Sequence, residues 1–137
     1  MPDFLPDRAE AGTLNVAGIA GVMAGIREVR KLGTAKILAR QQRQAKRCAE
    51  GLRAMGCAVF TGDNQAGTLS FLPGTDCEEM AQRLAQYGVA VRAGLHCAPL
   101  AHESAGTLSG GTVRVSFGHD ATDAQTDQFL RIMRKLS

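Results

Sequence analysis

The spacing of apolar residues along the chain changes period several times, and each change marks an element. Over 17–29, Ile19, Val22, Met23, Ile26 and Val29 form one helical stripe. Gly18, Gly21 and Gly25 leave the remaining surface small and nearly uncharged, so this helix is apolar almost all round. Asn15 can cap it. Such a helix in a small domain buries one face and offers the other to a second backbone, although a glycine-weakened internal helix fits the pattern equally well. A longer helix is expected over 34–55, with Leu38, Ala45, Cys48, Leu52 and Met55 on one stripe and Gly56 as its stop. Lys36, Arg40, Arg43 and Arg47 fall together on the other side of that helix. We read them as a solvated face, the alternative being a basic docking strip.

Strand-like runs follow over 58–61 and 68–72, joined by turn residues as in a hairpin. Thr75 or Asp76 can cap a helix bearing Cys77, Met80, Leu84 and Tyr87 before Gly88. A third strand is expected over 89–93, then a long polar connection through Gly111, then a fourth strand over 112–117. Thr122 with Gln125 forms a capping box for a last helix presenting Phe129, Leu130, Met133 and Leu136. The sum is an α+β fold, a small antiparallel or mixed sheet of about four strands packed with helices. Residues 1–14, with two prolines and no apolar period, read as an extended arm, and 15–137 as a single domain.

Composition narrows the function classes. A length of 137 residues suits one module, and 45% apolar with 21% charged residues suits a globular one. A net charge of +3, with no aromatics interleaved in the basic strip, gives no reason to expect a nucleic-acid partner. The stretch 14–26 would extend only about 20 Å as a helix, too short for a bilayer, and no basic flank leads into an apolar run at the start, so a cytoplasmic protein is expected. Cys48, Cys57, Cys77 and Cys97 show no paired spacing. Reduced thiols are the expectation, with Cys48 and Cys77 in the core, and the spacings to His96, His102 and His119 match no zinc finger or ribbon, so no metal is expected.

The connection after the third strand carries the chemistry. It places Cys97 between Gly94, which permits unusual backbone angles, and the rigid Pro99. Arg92 and His96 as nearby cations would favour its thiolate, whereas the plain alternative is an ordinary loop cysteine. In the fourth strand Val113, Val115 and Phe117 share one face, so Arg114 projects from the other with Thr112 and Ser116. Its planar fork suits a substrate carboxylate or an internal acid equally. Gly12 and Thr13, just before a helix, can offer NH and hydroxyl groups to a phosphate or simply make a turn.

Taken in order, EAGTLN (10–15), VRAGLHCAPLAH (91–102) and GTVRVSFG (111–118) resemble the C-terminal part of class V aminotransferase-fold enzymes, most of all the cysteine desulfurases. The resemblance implies a pyridoxal phosphate (PLP) transferase that takes sulfur from L-cysteine, leaving alanine and an enzyme persulfide. Cys97 would be the nucleophile and Arg114 would bind the substrate carboxylate. Arg92 would support the loop near cofactor and substrate. Gly12, Thr13 and His96 would contact the cofactor, the first two through its phosphate, typically in the partner subunit, and His102 would be a helper. The 97–114 spacing resembles the desulfurase group with a short, ordered catalytic loop. None of Lys31, Lys36, Lys46 and Lys135 matches the family's Schiff-base lysine motif. The resemblance therefore implies a small domain, inactive alone, whose lysine-bearing large domain lies outside this chain and would meet the second face of the 17–29 helix. Self-association through that glycine-rich helix, as a homodimer, is a separate expectation. A free-standing interaction or sulfur-carrier module with the same fold is the alternative.

Overall fold

The computed structural model describes residues 2–10 and 12–137. Met1 and Ala11, both within the expected arm, lie outside the described residues. Two compact units are present, one ending at Thr34 and the other spanning Ala35–Ser137. The first contains a short 3-10 turn at Asp7–Ala9 and helix α1 (Val16–Leu32), capped where expected: the Asn15 side chain accepts the Gly18 amide at 2.9 Å. No residue of α1 is buried, and Val16, Ile19, Val22, Met23, Ile26 and Val29 are all exposed.

Helix α2 (Thr34–Ala54) leads into the second unit. There follow β1 (Ala58–Phe60), β2 (Thr68–Leu72), α3 (Cys77–Ala85), β3 (Arg92–Gly94), α4 (Pro99–Ser104), β4 (Thr112–Ser116) and α5 (Asp123–Leu136). The four strands pair antiparallel throughout in the order β1-β2-β4-β3. Register assigns the two faces. Val59, Leu69, Phe71, Ala93, Val113 and Val115 belong to one, and Leu69, Phe71 and Val113 are fully buried there. Cys48 and Leu52 of α2, Met80 and Leu84 of α3, and Met133 of α5 complete that core with equally complete burial. Phe71 meets Phe129 edge to face, with ring centroids 6.4 Å apart. The other face carries Phe60, Ser70, Arg114 and Arg92 in one cross-strand row. All three long helices of this unit contribute to the first face, so the second is left for chemistry.

Capping follows the expected chemistry. The Asp76 carboxylate accepts the Glu78 and Glu79 amides, and Thr122 and Gln125 form the full capping box of α5. One expectation needs correction. The third strand occupies Arg92–Gly94, not 89–93. Its ladder with β4 stops at Arg114, and Val89, Ala90 and Val91 instead stand across a cavity of about 390 Å³ from Val115, Ser116 and Phe117. The basic strip of α2 is solvated as expected, with Lys36, Arg40, Arg43 and Arg47 all exposed, and three of the four also find partners elsewhere in the chain. Arg47 binds Asp127 through Nε and Nη2 at 2.8 and 2.9 Å, Arg43 lies 3.4 Å from Asp123, and Arg40 donates to the His119 carbonyl at 3.0 Å. Beneath these exposed pairs the fully buried Gln44 donates to Asp123 at 2.5 Å and accepts from Thr126 at 2.7 Å. The Gln44 hydrogen bond, followed by the Arg43 and Arg47 charges, holds the Asp123 carboxyl below its usual range. Among the described residues no helix is long and apolar enough to cross a membrane.

Candidate functional site

Arg92 and Arg114 are direct cross-strand partners, so both guanidinium groups rise from the same sheet face. Like charges placed opposite one another destabilise a sheet, and the Arg114 Nε is in addition buried with no hydrogen-bond partner. An acid group supplied by a ligand would relieve both costs. Among the described residues no carboxylate of the chain is paired with Arg114, and this removes the internal ion pair as an account of it.

The loop from β3 to β4 closes over this face. It is pinched at its base, where Gly111 at φ +66° comes so close to Gly94 that a Cβ there would stand 2.7 Å from the Gly94 backbone. Next comes a tight turn, Leu95 to Ala98, closed by the Ala98 amide donating to the Leu95 carbonyl at 2.9 Å. Its two central residues are His96 at φ 53° and Cys97 at φ 58°, both left-handed without being glycine. The turn leaves Cys97 exposed. Cys48 is buried with its thiol pushed up to about 12, and burial also raises Cys57 and Cys77, so these three are held as protonated thiols. Cys97 is the exposed cysteine of the four, Cys57 being half-buried.

His96 turns inward, with Nε2 3.1 Å from the Thr112 hydroxyl and Nδ1 buried without a partner. Burial first, then the charges of Arg114 and His102, lower its pKa below the ordinary histidine value, outweighing the bond to Thr112. A neutral ring cannot supply the cation expected beside the Cys97 thiol, so only the guanidinium part of that expectation keeps its charge. The shift also has a consequence for stability. The unfolded chain binds the proton more readily than the folded one, so the stabilisation from neutral His96 is complete above the ordinary value of about 6.5 and is lost as the pH falls through it. Urea midpoints should fall between about pH 7.5 and about pH 5.5, and His96→Gln should flatten that decline. A variant whose midpoint falls just as steeply as the parent's would contradict this.

Sequence reasoning missed the far side of the loop. Residues read there as an irregular connection form α4, opened by Pro99 at its first position. This helix carries His102 inward, 7% exposed, with Nδ1 2.7 Å from the Thr107 hydroxyl and the ring centroid 5.6 Å from that of His96. Together with Phe60, Ser70 and Thr112, His102 and Thr107 line a cavity of about 140 Å³. The proline followed by a turn's worth of helix-compatible residues was the available signal.

Gly12 and Thr13 lie in the first unit, both exposed, immediately before α1. The residues present do not by themselves fit the PLP that the resemblance implies. Holding its aldehyde requires a lysine amine, and the loop cluster contains none. Lys36 and Lys46 are exposed on α2, Lys31 is exposed near the end of α1, and the Lys135 ammonium sits 4.9 Å over the Tyr87 ring.

A probable cysteine desulfurase of Pyrococcus abyssi is 33% identical over 136 residues, covering 96% of this chain and 33% of that protein. The cysteine desulfurase of Thermococcus onnurineus superposes with a TM-score of 0.87 at 33% identity, over 96% of this chain and 33% of the other. The S-sulfonic acid structure of the cysteine desulfurase CsdA from Escherichia coli gives 0.86 at 28% identity, over 95% and 32%. The chain thus spans about a third of the length of these relatives. The family model for aminotransferase class V matches residues 3–129, and the chain belongs to that family.

Proposed function

We propose that this chain is the C-terminal domain of a PLP-dependent cysteine desulfurase and that Cys97 accepts the sulfur. The observation that carries the reading is the pair Arg92 and Arg114. Two guanidinium groups share one sheet face, one with a buried unpartnered NH, beneath a loop that holds out the accessible thiol. Arg114, with its planar fork, would take the carboxylate of L-cysteine, and Arg92 would support the loop and add positive charge. The Cys97 thiolate would attack the substrate sulfur, forming an S–S bond as the C–S bond breaks; the C–S electron pair stays with the carbon, which takes up a proton to give alanine, and Cys97 keeps the sulfur as a persulfide. In such enzymes the cofactor supplies an electron sink. Here it would be held by a lysine-bearing domain outside this chain, with Gly12 and Thr13 reaching its phosphate across a homodimer and His96 close to it. The cytoplasm, where thiols stay reduced, is the compartment this chemistry needs.

The test requires neither cofactor nor second domain. Purified chain is treated with an inorganic polysulfide, alkylated, digested and examined by mass spectrometry. An added sulfur is expected on Cys97 and not on Cys48, Cys57 or Cys77, with none acquired by the Cys97→Ser variant. Equal labelling of all four cysteines would remove the proposal.

A further inference from the structure

Resting on that reading of Cys97, we infer that the buried pair His102 and Thr107 is its positioning device. The turn that presents the thiol is intrinsically unfavourable. Its closing hydrogen bond and two positive φ angles follow the pattern that Asn-Gly satisfies readily, but here the residues are His96 and Cys97. A non-glycine residue held there is strained and persists only where the surroundings over-determine it. The surroundings do so from one side. His96 is tied to Thr112 at the start of β4, and its ring is backed by that of His102. His102 cannot swing away, because Nδ1 is bonded to the Thr107 hydroxyl, and the Thr107 amide in turn donates to the His102 carbonyl at 2.8 Å. The Thr107 carbonyl then accepts the Gly111 amide at 2.8 Å, which connects the pair to the pinched base of the loop. His102 is 7% and Thr107 5% exposed, so each depends on the other for its buried hydrogen bond. Neither residue needs to touch the substrate. They act through His96, by keeping the turn, and hence Cys97, in the left-handed geometry.

The Ala98 amide, whose bond closes the turn, reports on this directly by NMR-detected hydrogen exchange of the full chain. Thr107→Val removes the hydroxyl at nearly constant volume, and Thr107→Ser restores it. The expected result is that Thr107→Val speeds exchange at Ala98 about fivefold or more, the factor equivalent to one net hydrogen bond. Core sheet amides at Leu69 and Val113 should keep their parental rates, and Thr107→Ser should return Ala98 to its parental rate. His102→Asn, which keeps a polar atom near Thr107 but has no ring to back His96, should match Thr107→Val, and it replaces that variant if the valine chain fails to fold. Unchanged exchange at Ala98 in the folded variants, equal acceleration at Leu69 and Val113, or no rescue by serine would each overturn the inference. Persulfide labelling of Cys97 is read separately, so failure of the proposed function would leave this result untouched.

Discussion

Replacing Arg114 by leucine should raise the melting temperature of the chain, an unusual result for a residue in the middle of a central strand. Its Nε is buried without a partner, and its guanidinium faces that of Arg92 across the ladder. An unsatisfied buried donor costs about 1–3 kcal/mol, and removing the residue also removes the like-charge contact. For a chain of this size the gain corresponds to a rise of roughly 3–8 °C, measurable by circular dichroism. The same position should respond with the opposite sign in catalysis. In the enzyme completed with its lysine-bearing part, Arg114→Lys keeps the charge and loses the fork. It should lower kcat/KM for L-cysteine by about a hundredfold or more, as expected when a buried hydrogen-bonded charge loses its partner. A residue kept for structure would show the reverse: lower stability without it and little change in turnover. A fall in melting temperature for Arg114→Leu would therefore end the carboxylate assignment.

That sign difference shows why Arg114 was half legible from sequence. Alternation along GTVRVSFG places it on the face opposite Val113 and Val115, and the structure keeps that division. Alternation does not say whether an acid waits on that face. The answer depends on strand order, because β3 lies on the free side of β4 and sets Arg92, another cation, directly opposite. The same distinction between local and distant information runs through the fold. Caps at Asn15, Asp76 and Thr122 were readable because the donor and acceptor lie within three residues of each other. The apolar stripes were readable because burial on one face leaves a period. The partners of Arg43 and Arg47 lie 80 residues away on α5, and Gln44 is 79 residues from Asp123, so these pairings could not be read from local spacing.

At the site, local chemistry showed that Cys97 is presented but not how. Gly94 and Pro99 mark a turn, whereas the left-handed pair actually falls on His96 and Cys97, which propensity alone would not choose. His96 was expected to add a positive charge, an assumption valid for an exposed imidazole. Tertiary burial and the neighbouring Arg114 reverse it. The helix that carries His102 was not legible because it has six residues, too few to display a period.

Gly111→Ala should be the most damaging single methyl that can be added to the loop, and Gly106→Ala is its control. The two glycines have nearly the same backbone, φ +66° and φ +68°, so alanine strains both equally. Their surroundings differ. A Cβ on Gly106 meets nothing within 4 Å, whereas a Cβ on Gly111 stands 2.7 Å from the Cα, C and O of Gly94, backbone atoms that cannot rotate aside. Gly106→Ala should therefore cost only the left-handed penalty, about 1 kcal/mol. Gly111→Ala adds overpacking and should cost about 2–4 kcal/mol in total, a fall of roughly 10 °C in melting temperature. The excess has a specific location. Gly94 pairs with Thr112, so pushing the two strands apart at that point breaks the short β3–β4 ladder and releases the His96 contact to Thr112. Exchange at Ala93 and Ala98 should accelerate in Gly111→Ala and stay near the parental rate in Gly106→Ala, and Cys97 should lose its preference for polysulfide only in the former. Equal melting temperatures for the two variants would mean that the close approach of Gly94 and Gly111 does not hold the loop, and the mechanical account of how Cys97 is presented would have to be abandoned.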